Sequence, residues 1–188
     1  MNILKKTIKT NRLLLRPFQL SDGNDVQRLA GEFEIADTTL FIPHPYEDGV
    51  AEQWIRTHEE HLKSGKEIIF AITLQNTKEL IGSIGLIVNK EHEKAELGYW
   101  IGKPYWNKGY ATEAAEAMLK FGFEDINLNR IHAHYFARNP ASGKVMEKLG
   151  MRYEGTLRDD IKKWGKFEDI KIYGILKSEY HSKYADIN

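Results

Sequence analysis

Two short segments carry the residues whose types and spacing could do chemistry. The first, residues 95–116, reads AELGYWIGKPYWNKGYATEAAE. A strand-like stretch runs into a loop through Trp106, Asn107, Lys108, Gly109, Tyr110, Ala111 and Thr112, and the loop runs straight into a helical pattern. A helix N-terminus offers unpaired N–H groups and about half a positive charge. Gly109 and Ala111 let an anion approach those amides closely, and Lys108 adds a cation. This is an anion cradle built mainly from backbone. The same residues also read as a turn at Gly109 and a helix cap at Thr112, and physics alone leaves both open.

The second segment, residues 139–150, reads NPASGKVMEKLG. Asn139 suits an N-cap and Pro140 the first helical position, which is sufficient structural reason for both. If this helix opens beside the cradle on an adjacent parallel strand, a ligand has a place outside the carboxyl ends of that pair. Splaying the two strands apart would expose backbone groups for it to bond. Other constellations fit badly. The order Lys108-Gly109 is not that of a Walker loop, and Gly82 and Gly85 lie inside a strand rather than at a helix start. His58 with His61 and His132 with His134 share faces, but no further metal ligands are spaced to complete a site, so no metal is expected.

The elements that must position these segments follow from periodicity. Residues 12–18 form a strand closed by Arg16-Pro17, and Ser21 or Asp22 caps a helix to about Ala30. Residues 32–46 read as irregular, with Pro43 and Pro45 as breakers, and 47–63 as a helix ended by Ser64-Gly65. Strands at 67–74, 80–88 and 95–101 make an antiparallel meander. A helix over about 111–124, a strand at 130–137, a short helix from Asn139 and strands at 151–157 and 167–176 complete the chain. The helix at 111–124 joins two strands that a right-handed crossover makes parallel. The class is α+β, a mixed sheet with helices on its faces.

Composition narrows function. The 188 residues suit a single domain spanning 1–188. Lys+Arg and Asp+Glu are 27 each, so no net charge favours nucleic acid or an anionic membrane. No cysteine is present, which excludes disulfides, thiolate nucleophiles and cysteine-based zinc sites. The longest apolar runs are too short to span a bilayer, and the N-terminus lacks a signal-length apolar stretch, so a cytoplasmic protein is expected. An edge strand near the C-terminus is compatible with a homodimer.

Taken together and in order, TNRLLLRPF, AELGYWIG, WNKGYATEA and IHAHYFARNPASGKVMEKLGM resemble the GNAT superfamily of acyl-coenzyme A-dependent N-acetyltransferases over nearly the whole chain. The arrangement is similar to RimJ/RimL-type ribosomal-protein N-terminal acetyltransferases and to spermidine N-acetyltransferases of the same branch. The resemblance implies a mostly antiparallel twisted sheet with a central, splayed parallel strand pair. In the superfamily phosphate motif, Gln/Arg-x-x-Gly-x-Gly/Ala, Gly109 and Ala111 match and Trp106 departs. The pyrophosphate of acetyl-CoA would then sit on residues 107–112. Its pantetheine would pair with backbone near Tyr99, Trp100 and Ile101, where the strand usually bulges. Asn139 matches a pantetheine-contacting residue, and Ser142 and Lys144 fall on the first turn of the next helix.

The resemblance further implies direct attack of a primary amine on the thioester in a ternary complex. Glu96 is the candidate for amine activation, directly or through water, and amides near Trp100 for the oxyanion. Ser142 is the candidate donor to the leaving sulfur, with Asn139 nearby. The acceptor is read as a protein N-terminal α-amine, with a polyamine or amino sugar as the alternative and a silent CoA-binding module as the other. Eight carboxylates, Glu32, Glu34, Asp37, Glu47, Asp48, Glu52, Glu59 and Glu60, make a cationic acceptor credible.

Overall fold

The computed structural model describes residues 6–184. Residues 1–5, the start of the stretch read above for a leader, and residues 185–188 lie outside the described residues. One eight-stranded sheet runs in the order β1-β2-β3-β4-β5-β6-β8-β7. Its strands are β1 (Ile8–Lys9), β2 (Leu13–Arg16), β3 (Glu67–Leu74), β4 (Leu80–Asn89), β5 (Lys94–Ile101), β6 (Arg130–Phe136), β7 (Arg152–Lys163) and β8 (Lys166–Leu176). The helices are α1 (Gly23–Ala30), α2 (Phe33–Thr38), α3 (Val50–Ser64), α4 (Tyr110–Lys120), α5 (Pro140–Lys148) and α6 (Lys177–Tyr184). Among the described residues, no helix is long and apolar enough to cross a membrane.

Strand alternation sorts the core onto two faces. Leu13, Leu15, Phe70, Ile72, Leu86 and Leu97 join Ala114, Ala115, Met118 and Leu119 of α4 on one face. Ala71, Leu80 and Trp100 meet Val26, Leu29, Ala51 and Ile55 of α1 and α3 on the other. The sheet therefore carries helices on both faces, as the resemblance implies.

The β5–β6 pair is parallel, and its register covers only Lys94↔Arg130, Ala95↔Ile131 and Glu96↔His132. Beyond His132 the two strands separate. Each remains bonded on its far side, β5 to β4 as far as Gly82↔Ile101 and β6 to β8 as far as Phe136↔Ile170. The sheet is thus two ladders that share a short seam and then fork.

Several sequence expectations need correction. The bulge expected in β5 is absent: its register with β4 is constant from Gly82↔Ile101 to Asn89↔Lys94, whereas the β3–β4 register shifts between Ile72↔Gly82 and Thr73↔Leu80, passing over Ile81. Residues 32–46 are not wholly irregular, since α2 forms from Phe33 and buries Ile35 and Ala36. The helix after the loop is α from Tyr110 to Lys120, and residues 121–125 continue it as a π-turn. β7 runs to Lys163 rather than ending at Leu157, because Trp164 and Gly165, both at positive φ (46° and 84°), turn the chain tightly into β8. β1 and α6 were not expected.

α3 shows how packing constrains a titratable group. His58 lies against Phe18 and Trp54, with ring centroids 5.3 and 4.3 Å away. Both its ring nitrogens are buried without a hydrogen-bond partner. Burial, aided by His61, pushes its pKa down to about 4. The unfolded chain, with an ordinary histidine pKa, takes up this proton first, so stability is whole above about pH 6.5 and falls as pH drops toward 4. Thermal melts across that range should show an acid-dependent loss on the order of 2–3 kcal/mol. His58→Phe, which keeps an aromatic ring against Phe18 and Trp54, should remove most of it. An unchanged pH dependence in that variant would assign the acid lability elsewhere.

Candidate active site

The fork creates the site. Gly102 N–H bonds to Ile81 O at 2.8 Å, so by antiparallel alternation the even-numbered residues of β5 bond to β4. The odd-numbered residues turn their backbone toward β6. Past Glu96↔His132 no strand answers them, and Tyr99 and Ile101 present N–H groups to the gap. The unpaired donors expected from a bulge at Trp100 therefore come from strand divergence, and sit at Tyr99 and Ile101 instead.

A cleft of about 480 Å³ occupies this gap and continues over the start of α4 and α5. Of the residues proposed from sequence for cofactor binding, all but Lys108 line it. Gly109, at φ 79°, caps α4. The first helical bond there is Glu113 N–H to Gly109 O, so the amides of Tyr110, Ala111 and Thr112 have no acceptor within the helix. Thr112 lies inside the helix rather than at its cap.

The loop is braced by residues that sequence reasoning missed. Arg12 donates to Lys108 O at 2.9 Å, pairs with Glu113 at 2.6 Å and lies over the Tyr110 ring at 4.6 Å. Lys108 is not aimed into the cleft: its Nζ donates to Pro104 O at 3.0 Å. Trp106, the departure from the phosphate motif, donates its indole N–H to Ile101 O at 2.5 Å and so ties the loop back to β5.

On the other wall, Asn139 holds the N-cap position of α5 but makes no capping bond. Its amide nitrogen donates to Ser142 Oγ at 3.2 Å. Beside Ser142 lies the buried hydroxyl of Tyr99. Burial pushes this phenol up to about 12, so it stays protonated and remains a donor. Sequence reasoning used only the backbone of Tyr99. A signal was present, since strand alternation puts Tyr99 on the same face as the α5 crossover. Tyr135 packs beneath Gly143, where any Cβ would strike its hydroxyl, and α5 can therefore settle close to the fork.

Glu96 is not in the cleft. It stands at the base of the fork on the opposite face, 3.1 Å from His134 Nδ1 and 3.8 Å from His132 Nε2. The hydrogen bond from His134 holds its carboxyl below the usual range. The histidine pair that lacked further metal ligands in the sequence is thus gathered around this carboxylate. Among the described residues, no group of three or more acidic, histidine or cysteine side chains could hold a metal ion.

The cleft is also lined from α2 and the residues after it, by Ile35, Thr38 and Thr39. The β7–β8 turn clamps this segment: Lys163 donates to Leu40 O and Ile42 O, and Trp164 stacks on Phe33 with centroids 5.3 Å apart. Four of the eight carboxylates counted between Glu32 and Glu60 are engaged. Glu34 pairs with Lys103 at 2.5 Å, Asp37 with Arg138 at 2.6 Å and Glu59 with Lys63 at 2.6 Å, while Asp48 accepts from the Gln27 amide.

Comparison with known proteins agrees with this geometry. Residues 12–152 match the acetyltransferase (GNAT) domain. An uncharacterized N-acetyltransferase, p20, of Bacillus licheniformis is 33% identical over 93% of this chain and 98% of its own. The [ribosomal protein uS5]-alanine N-acetyltransferase of Escherichia coli is 28% identical over 95% of each chain. The spermidine N(1)-acetyltransferase of Vibrio cholerae is 27% identical over 90% of this chain and 96% of its own. A GNAT-family acetyltransferase structure from Bacillus anthracis superposes with a TM-score of 0.82 at 29% identity, covering 92% of this chain and 99% of that one. The chain belongs to the GNAT acetyltransferase family and is an acyl-CoA-dependent N-acetyltransferase.

Proposed function

We propose that the protein transfers an acetyl group from acetyl-CoA to a protein N-terminal α-amine by direct attack. The observation that carries this reading is the continuity of one cleft from the free edge of β5 to the unpaired amides of α4. The pyrophosphate binds the amides of Tyr110, Ala111 and Thr112, with the helix dipole behind them. The pantetheine lies along β5 and pairs with the backbone of Tyr99 and Ile101. Asn139 and Lys144 flank it from α5.

The thioester then lies at the fork, where N–H groups of the free β5 edge meet the carbonyl oxygen as it becomes an oxyanion. The amine attacks the carbonyl carbon, the C–S bond breaks, and its electron pair stays on sulfur. Tyr99 and Ser142 supply hydroxyl donors to the thiolate, and Asn139 orients Ser142.

None of the eight carboxylates counted between Glu32 and Glu60 lines the cleft. This supports an acceptor carrying a single amine over a polyamine. An α-amine with a reference pKa near 8 also needs only a modest base at neutral pH.

Three measurements follow. Gly109→Val puts a branched side chain at φ 79° with its Cβ against Arg12, so calorimetry should show acetyl-CoA affinity lowered by at least tenfold. Wild-type affinity in that variant would remove the cradle. Tyr99→Phe should lower kcat several-fold with little change in acetyl-CoA affinity, whereas an unaltered kcat would leave the sulfur to Ser142 alone. A mass-spectrometric screen with acetyl-CoA should give acetylated peptide N-termini. Acetylated spermidine in preference to peptides would assign the polyamine reading, and binding without product across the panel would indicate a silent module.

A further inference from the structure

Three titratable side chains meet where β5 and β6 part. Glu96 and His132 form the last pair of the parallel register, and His134 lies two residues further along β6 on the same face. Continuing that register would set His134 opposite Gly98. Gly98 carries no side chain, and a Cβ built there would meet no atom within 4 Å. The face of β5 between Glu96 and Trp100 is therefore open. An amine entering from the α2 side can stand over Gly98, with the thioester at the fork before it and His134 beside it.

We propose that His134 is the catalytic residue that takes the proton from the acceptor ammonium, and that Glu96 is its positioning residue. The inference rests on the transfer reading above and assigns its base. Glu96 Oε1 lies 3.1 Å from His134 Nδ1, so the Nδ1–H tautomer donates to the carboxylate and leaves the Nε2 lone pair free. A carboxylate already engaged in this way, and held below its usual pKa, is a weak base toward an ammonium. His134 is raised from 6.5, first by its hydrogen bond to Glu96, against the opposing effect of burial. Asp160 of β7 adds negative charge toward it. His132, the other histidine facing Glu96, is driven the opposite way, first by burial and further by Arg130 and Lys94. Among these groups His134 is the one whose basicity suits proton transfer near neutral pH.

The step balances. The acceptor R–NH3+ gives one proton to His134 Nε2 and becomes R–NH2. Its lone pair forms the C–N bond, and the C–S bond breaks with its electron pair on sulfur. The second amine proton leaves the amide nitrogen and neutralises the thiolate, and imidazolium releases its proton to solvent.

The test compares wild type, His134→Gln and Glu96→Gln on one peptide acceptor, with imidazole ¹H–¹⁵N NMR titrations of each protein. In wild type, kcat/KM should rise with pH along a limb that coincides with the titration of the His134 ring. His134→Gln should lose that limb and lower kcat by about 10²–10⁴-fold, with acetyl-CoA affinity unchanged. Glu96→Gln should move the limb and the His134 titration together to lower pH, because the carboxylate charge is gone. The inference is overturned if His134→Gln keeps the wild-type limb and kcat, or if Glu96→Gln abolishes the limb while His134 still titrates. Circular dichroism checks that both variants fold, and Glu96→Gln tests the assignment even if His134→Gln does not. A wild-type protein that acetylates no amine would instead overturn the transfer reading itself.

Discussion

The divergence of β5 from β6 after Glu96↔His132 is the constraint on which the rest of the molecule depends. A buried strand normally satisfies both edges of its backbone. Here one edge of a central strand is left open over several residues, in the middle of an eight-stranded sheet. The cost is tolerable because the unpaired groups line a cleft rather than apolar core. It is also kept local, since β5 keeps its full ladder to β4 and β6 its full ladder to β8. The two halves are separate ladders joined by a three-residue seam.

Everything chemical gathers around that seam. The crossover through α4 starts at the open end of β5 and brings unpaired helix amides into line with the free strand edge. α5 starts at the open end of β6 and brings Ser142 beside the buried Tyr99 hydroxyl. On the opposite face the last residues before the fork are Glu96 and His132, with His134 just beyond. A single geometric event thus sets unpaired helix amides, a free backbone edge and the Glu96–His134 pair within a few residues of one another. The supports are distant in sequence: Arg12 braces the loop before α4, and Lys163 and Trp164 clamp the segment around α2.

Much of this was legible in the chain. The meander was read closely because residues 67–74 and 80–88 alternate or run apolar between clear turn signals, and the loop because Gly109 and Ala111 interrupt a strand-to-helix passage. The fork was inferable only in outline, since a missing hydrogen bond depends on a partner strand and leaves no mark in local pattern. The expected bulge was the wrong device for the right purpose, moving the free donors from Trp100 to Tyr99 and Ile101. Trp106 looked like a defect in a phosphate motif and proves to be a tie to Ile101. His132 and His134 looked ordinary because their partner, Glu96, lies on another strand. α2 was hidden by its shortness and by the prolines that follow it, and the extension of β7 by charged residues that read as loop.

The central claim is that the open edge of β5 and the first amides of α4 form one continuous binding surface. Residue-resolved amide hydrogen exchange with and without saturating acetyl-CoA tests it most directly. The account requires that the amides of Tyr99, Ile101, Tyr110, Ala111 and Thr112 exchange readily in the free protein and become protected together on binding. Protection confined to other segments, or slow exchange at Tyr99 and Ile101 before any ligand is added, would contradict it.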